Sequence, residues 1–261
     1  MKRFLLPIAF LVGFGILKLP VEKLLLSQEQ AAGFQAAQLN LHVRSQLGQM
    51  GFVAALSGFR AVMADLLFIR VGTAFQKTEW GRMKLLLESA TQLQPKAVMF
   101  WEMAHFHMAY DAAIASRENR IQQPSETLRR RAEREYMHIG EQFLLDGISF
   151  NPDNSRLYEH LGRFYSKRLY DHERAAEAYA TSAKKPGAHE YVGRFAAYEL
   201  AEVPGKEAQA YQQLCHFYKT GPRVPTLENL IHRLEEKLAV PPSERVYSPS
   251  NQETVSPAQA R

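Results

Sequence analysis

The chain has 261 residues, and 46% of them are apolar, so it is long enough to bury a sizeable core. It contains 32 Lys and Arg residues and 27 Asp and Glu residues, and a net charge of +5 over this length is too small to indicate a nucleic-acid-binding protein. Cys215 is the single cysteine, which excludes an intramolecular disulfide and a zinc–cysteine cluster.

The N-terminal segment, residues 1–23, has the composition of a membrane anchor. Two basic residues precede fourteen uncharged ones, 4–17, which as a helix would span about 21 Å of a hydrocarbon core roughly 30 Å thick. Residues 19–21 lengthen this apolar stretch, because the long side chain of Lys18 can reach the headgroups. The length also suits a secretory signal peptide. Small residues at cleavage-site spacing are missing directly after the segment, however, which favours an uncleaved anchor.

The charges around this segment predict its orientation. Lys2, Arg3 and the terminal amine outweigh Lys18 and Lys23, which are offset in part by Glu22. The N-terminus is therefore expected to stay in the cytoplasm. We expect a single-pass protein of the inner (cytoplasmic) membrane whose remaining residues face the periplasm or outer side.

Two further stretches precede the main domain's repeats. Residues 24–50 are rich in Gln and Ala with scattered Leu, which predicts a helical stalk. Residues 51–75 are strongly apolar but include Arg60, Asp65 and Arg70, and charged side chains at the centre of a membrane span are costly. We expect this stretch to form a helix buried against the first repeat, and the alternatives are a second transmembrane helix or a lateral membrane contact.

The next part of the chain shows a repeating pattern of small and aromatic positions. Pro152 and Pro186 each end a helix-like run in which a small residue, an aromatic residue or Leu, and a second small residue precede the proline. The interval between these two prolines gives the repeat length. The matched residues are Tyr158, Leu161, Gly162 and Tyr165 in a first helix, and Ala175, Tyr179 and Ser182 in a second. The small residues would let two helix backbones approach closely while the aromatic side chains fill the remaining space.

This arrangement resembles the tetratricopeptide repeat (TPR) family, whose pairs of antiparallel helices have the same repeat length and stack into a superhelix. Residues 51–239 fit a TPR-like domain with one well-matched unit and degenerate copies on either side. The copy before Pro152 is interrupted by an insertion at residues 115–127, and the copy after Pro186 has its turn at residues 203–205. Thr226 is expected to cap a last amphipathic helix that closes the stack.

The resemblance implies an all-α, TPR-like superhelix preceded by an N-terminal transmembrane helix, as in membrane-anchored bacterial TPR proteins. In this family the first helix of each unit lines a concave groove that binds partner proteins. The groove positions of two units are Met99, Glu102, Phe106, Tyr110, Arg156, Glu159, Arg163 and Lys167. The first unit contributes an apolar and aromatic half. The second contributes a basic half, which resembles the carboxylate clamps of chaperone-binding members but lacks their Asn residues. A solvated helix surface without a partner is the alternative.

Three further features bear on catalysis, charge recognition and order. Glu102, His105 and His107 could form a small site, but their spacing matches no metal motif, and a packed His105 bonded to the adjacent helix is the expected arrangement. The basic run 129–131 is interleaved with Glu residues, which is typical of a solvated helix face with local ion pairs. Residues 240–261 are rich in Pro and Ser and are expected to be a disordered tail.

These patterns favour a non-enzymatic, membrane-anchored scaffold whose groove binds another envelope protein during assembly or maturation of a complex. An integral structural subunit of a membrane protein complex is the alternative, and an enzyme with a Glu/His site is a third hypothesis. The expected partners are a protein and the membrane, without nucleic acid, metal or cofactor.

Overall fold

The computed structural model describes residues 58–121 and 123–246, and within these ranges all regular secondary structure is helical. The fold class of the described residues is therefore all-α, as the sequence predicts. The helices are α1 (Arg60–Gln76), α2 (Trp80–Leu93), α3 (Val98–Phe106), α4 (Ala113–Glu118), α5 (Glu126–Phe150), α6 (Ser155–Phe164), α7 (His172–Ala183), α8 (Tyr191–Leu200), α9 (Glu207–Thr220) and α10 (Pro225–Lys237). A π-helical segment, His107–Ala112, joins α3 to α4 without a break, and a second one, Tyr165–Leu169, extends α6.

The described residues divide into two compact units, 58–77 with 81–97 and 78–80 with 98–246. The first unit holds α1 and most of α2. On α1 the buried residues Ala64, Leu67, Val71 and Ala74 recur at helical spacing. On α2 the side chains of Met83, Leu87 and Ala90 are all fully buried.

The second unit is a stack of antiparallel helices in which each helix packs against the next along the chain. Contacts at the two ends of α6 and α7 show how these helices run relative to each other. The Ser182 hydroxyl, near the end of α7, donates a hydrogen bond to the carbonyl oxygen of Ser155 at the start of α6, at 2.8 Å. At the opposite end, the guanidinium of Arg174 lies 4.3 Å from the ring centroid of Tyr165. The two helices therefore run in opposite directions.

Small residues bring these helices close together. A Cβ added at Gly162 would lie 2.8 Å from Cγ of Tyr179, so the Tyr179 ring on α7 packs directly on the backbone of α6. A Cβ added at Gly140 would lie 2.6 Å from Cβ of Ala109, which places α5 equally close to the π-helical segment. A longer side chain at either position would force the helices apart.

Polar side chains fix three helix starts in this unit. The side chains of Ser125, Asn154 and Asp171 each accept a hydrogen bond from a backbone N–H group in the first turn of the helix that follows. Each such cap typically contributes about 1 kcal/mol to helix stability. The described residues between α4 and α5 are 119–121 and 123–125, and they lie within the stretch for which the sequence predicts an insertion.

The last helix closes the described end of the stack with an apolar face that includes Leu227, Ile231 and Leu234. The predicted cap at Thr226 is wrong. The helix begins at Pro225, its N-cap is Val224, and no side chain caps it. Proline is favoured in the first helical position because its fixed φ suits the helix and its missing N–H would be unpaired there anyway.

The remaining predicted segments are described in part or lie outside the described residues. The predicted anchor, 1–23, and stalk, 24–50, lie outside. Of the helices that are described, none has the length and apolar composition needed to cross a bilayer. Beyond α10, the N–H of Val246 donates a hydrogen bond to the Glu235 carboxylate at 2.7 Å, and residues 247–261 again lie outside the described part.

Candidate partner-binding groove

The first helices of the successive pairs, α3, α6, α8 and α10, are linked side by side through polar side chains. Arg156 on α6 donates to the Glu102 carboxylate on α3 at 2.7 Å. The Ser166 hydroxyl, just after α6, donates to the Glu199 carboxylate on α8 at 2.6 Å. Arg233 on α10 pairs with Glu202, which follows α8 directly. These bonds define a continuous surface, which we call the first-helix face.

The N-terminal part of this face carries the predicted apolar residues. On the continuous stretch of α3, π-helical segment and α4, five apolar or aromatic residues recur at spacings of three and four: Met99, Met103, Phe106, Tyr110 and Ile114. We call this set the apolar row. Met99, Phe106 and Ile114 are 55%, 49% and 42% exposed, and the rings of Phe106 and Tyr110 stack with centroids 5.4 Å apart. The row is therefore a preformed apolar strip open to solvent.

The predicted basic residues are largely paired within the protein. Arg156 bonds to Glu102, which also lies 3.5 Å from Nε2 of His160. Arg163 donates to the carboxylate of Glu159 at 2.9 Å, and the Tyr191 hydroxyl donates to the same oxygen at 3.1 Å. Because Glu159 is only 8% exposed, its main contacts are with these internal donors, and little of its surface is left for a partner.

Lys167 differs from these arginines. It is exposed, and within the described part of the chain its ammonium group makes no hydrogen bond or ion pair. It lines a cavity of about 750 Å³, which we call the C-terminal cavity. The lining residues come from α6 to α8, α10 and their connections: Arg163, Lys167, His172, Tyr179, Phe195, Tyr198, Glu199, Glu202, Thr226, Asn229, Leu230 and Arg233.

The C-terminal cavity combines an aromatic wall with charged groups. The Phe195 ring contacts those of Tyr179 and Tyr198, with centroid distances of 5.7 and 5.9 Å. Burial raises the pKa of the Tyr198 hydroxyl, so this group stays protonated at neutral pH. The Glu199 carboxylate is held in place by two bonds, one from Ser166 and one of 2.7 Å to Nδ1 of His172. Most of the lining is thus fixed before any ligand binds.

The sequence prediction missed the part of the cavity contributed by α8 and α10, including Phe195, Glu199 and Asn229. The predicted groove positions cover two units only, and the third unit also departs from the repeat length. Gly193 packs against Phe217 of the next helix, with an added Cβ 3.0 Å from its ring, just as Gly162 packs against Tyr179. The sequence interval between these equivalent glycines is shorter than the repeat length of the family by about one helical turn, so a strict repeat displaces the third unit by that amount. Searching for the glycine with its facing aromatic residue would have found the correct register.

The three residues of the enzyme hypothesis do not converge. His105 is buried, and its Nδ1 donates to the carbonyl oxygen of Gly140 at 3.0 Å, as expected for a packed histidine. Burial lowers the pKa of His105 to about 4. His107 lies 2.8 Å from Asp111 instead, and Glu102 faces Arg156. Among the described residues, no three His, Cys, Asp or Glu side chains are placed to hold a metal ion together.

The basic run 129–131 is not uniformly solvated, which corrects the sequence interpretation. Arg130 pairs with Glu126 on the exposed face as predicted. Arg129 is only 8% exposed, and its guanidinium donates to the carbonyl oxygens of Gln123 and Pro124 at 2.9 and 2.6 Å. The loop leading into α5 folds back over α5, so a residue in its first turn becomes buried and clamps that loop.

Comparisons with protein-family models, with curated proteins and with solved structures found no match for this chain.

Proposed function

We propose that the chain is a non-enzymatic scaffold of the TPR type, anchored in the inner membrane by residues 1–23, with its helical domain on the periplasmic or outer side. Its first-helix face would bind a segment of another envelope protein during assembly or maturation of a complex. The anchor raises the local concentration of the scaffold near membrane-bound partners, and the helical surface provides recognition.

The observation that carries this proposal is the exposed apolar row beside a preformed cavity on one surface. An apolar strip that stays open to solvent is costly to maintain and is characteristic of surfaces that are covered by a partner. The row spans more than four helical turns, which is long enough for a partner segment to make several contacts at helical or extended spacing. The antiparallel pairs and the glycine–aromatic contacts support the TPR type, because that architecture stacks its first helices into one binding surface.

The test is a pull-down of the tagged full chain in mild detergent, followed by mass spectrometry, with two matched variants. Phe106→Ser removes the centre of the apolar row, and Leu128→Ser removes an equally exposed apolar side chain, 47% against 49%, from α5 outside the row. Proteins captured by the unmodified chain and by Leu128→Ser, but lost with Phe106→Ser, are the expected partners. Equal capture by both variants would refute partner binding at the row.

A second function, an integral structural subunit of a membrane complex, is favoured by one observation on α1. Val62, Leu66 and Ile69 share a face of this helix and are 53%, 50% and 70% exposed. Such a face could lie against lipid or another subunit. Partners that co-purify at fixed stoichiometry and depend on Leu66, rather than on Phe106, would favour the subunit over the scaffold.

A further inference from the structure

The C-terminal cavity has a composition that specifies the chemistry of its occupant more closely than the apolar row does. Its volume of about 750 Å³ lies within the range of ligand-binding pockets, roughly 300–1,000 Å³. Its lining includes residues of α6, α8 and α10, which are three of the helices of the first-helix face. The side chains that such a segment must carry follow from the groups that line the cavity.

One cation of the cavity lining has no carboxylate paired with it among the described residues. Arg233 is paired with Glu202, Glu199 is held by Ser166 and His172, and Arg163 is paired with Glu159 beside the cavity. Lys167 is exposed and has no such partner within the described residues. The bonded arginines also retain unused N–H donors, since each guanidinium has five. A carboxylate placed next to Lys167 would therefore meet an exposed ammonium group that no carboxylate of the lining already occupies.

The aromatic wall requires a large apolar group near that charge. Tyr179, Phe195 and Tyr198 form a line of ring contacts, and Leu230 closes one side. Rings in this arrangement are preorganised to stack on an incoming aromatic side chain or to surround a branched aliphatic one. The occupant must therefore present an acidic group and a large apolar group a few ångströms apart.

The remaining lining favours a polypeptide over a small amphiphile. Asn229 and Thr226 supply both donors and acceptors, and Glu202 and Glu199 supply further acceptors. A peptide backbone presents N–H and C=O groups in alternation and can satisfy both kinds. An ionised fatty acid offers no donors, and its entry would desolvate these carboxylates without replacing their lost hydrogen bonds.

We propose that the C-terminal cavity binds a protein segment in which an acidic residue lies next to or one residue away from a large aromatic or aliphatic residue. Lys167 receives the carboxylate, and Phe195 with its neighbouring rings receives the apolar side chain. This inference rests on the proposed scaffold function and identifies the kind of segment recognised at one end of the first-helix face.

The experiment uses a random dodecapeptide library displayed on phage and selected against the full chain immobilised in detergent. Selected peptides are then synthesised, and their affinities are measured for the unmodified chain and two charge variants. Lys167→Glu reverses the charge in the cavity. Lys219→Glu makes the same charge change at an exposed lysine of α9 that does not line the cavity.

We expect enrichment of peptides with an acidic residue beside a large apolar one. Their affinity should fall at least about tenfold for Lys167→Glu and by less than about twofold for Lys219→Glu. Replacing the acidic residue of the peptide by Lys should restore part of the binding to Lys167→Glu. A reciprocal rescue of this kind is not expected from a general loss of folding.

Other outcomes overturn the inference in distinguishable ways. If selected peptides bind equally to both lysine variants but are lost with Phe106→Ser, the scaffold function stands and the charge specificity proposed for the cavity is wrong. If no peptide is enriched, the inference fails, and the pull-down with Phe106→Ser decides separately whether the scaffold function stands. If laurate binds the unmodified chain and loses affinity with Lys167→Glu, while no peptide is enriched, the cavity is a small-amphiphile site instead.

Discussion

Gly162 offers a sharp test of the helix packing, because replacing it by Ala should change stability in the opposite direction from the same replacement at an uncrowded helical glycine. In an exposed helix, replacing Gly by Ala stabilises by about 0.8–1 kcal/mol through helix propensity. At Gly162 the new Cβ would lie 2.8 Å from Cγ and Cδ1 of Tyr179, whereas carbon atoms prefer separations of about 3.5–4 Å. The ring would have to retreat by roughly 1 Å, and its contact with Phe195 resists that movement.

Overpacking of this kind costs about 1–3 kcal/mol, which exceeds the gain in propensity. Gly162→Ala should therefore be destabilising by up to about 2 kcal/mol, and Gly162→Leu, with three further carbons, by about 3 kcal/mol or more. For a chain of this size, about 3 kcal/mol corresponds to a fall in melting temperature of about 6–12 °C. Gly72 on α1 is the matched control, because nothing lies within 4 Å of its added Cβ, and Gly72→Ala should be stabilising.

The assay is urea and thermal unfolding of the purified full chain, followed by far-UV circular dichroism. If the helices pack as described, Gly162→Ala should lower the free energy of unfolding and Gly72→Ala should raise it. It is refuted if Gly162→Leu melts at the same temperature as the unmodified chain, or if Gly162→Ala stabilises as Gly72→Ala does.

Three further predictions concern a buried histidine, a loop clamp and the membrane topology. Burial lowers the pKa of His105 from 6.5 to about 4, so between these pH values the unfolded chain binds more protons than the folded one. The free energy of unfolding should therefore fall as the pH drops from 6.5 to 4, by about 3 kcal/mol more than it does in His105→Leu. Urea unfolding midpoints measure this difference. Arg129→Ala frees the carbonyl groups of Gln123 and Pro124, so limited proteolysis should cut near these residues faster than in the unmodified chain, whereas the exposed Arg130→Ala should leave cleavage unchanged. A reporter enzyme fused to the C-terminus should be active only outside the cytoplasm, and cytoplasmic activity would contradict the predicted orientation of the anchor.

The helix pairs could be predicted from the sequence because their determinants are local. Turn residues and caps mark where helices end, and the pairing of Gly162 with an aromatic residue on the next helix follows from the known requirement for close approach. The same local information predicted the burial of His105. In contrast, the start of the last helix was misplaced because Pro225 and Thr226 are both good helix starters, and spacing alone does not decide between them.

The cavity could not be predicted because it depends on register across three helix pairs. The third pair is shorter by about one turn between equivalent glycines, and each π-helical segment adds a residue to its turn and rotates the side chains that follow. Groove positions transferred from the preceding unit select Tyr198 in the register of the glycines, but they do not select Phe195 or Glu199 in either register. The burial of Arg129 escaped prediction for a related reason, since it depends on the path of a loop whose sequence has no regular pattern.

The charge of the first-helix face illustrates why recognition residues are difficult to infer from composition. Its arginines suggest a basic surface, yet Glu102, Glu159 and Glu202 each accept from an arginine on this face or the next helix. An exposed ion pair contributes little to stability, commonly below about 1 kcal/mol, but it fixes side-chain positions and cancels the local field. The groups on this face that are not engaged in such pairs, and that can therefore contact a partner, are the apolar row and Lys167. Binding by this face should therefore depend weakly on most of its arginines and strongly on these few exposed groups.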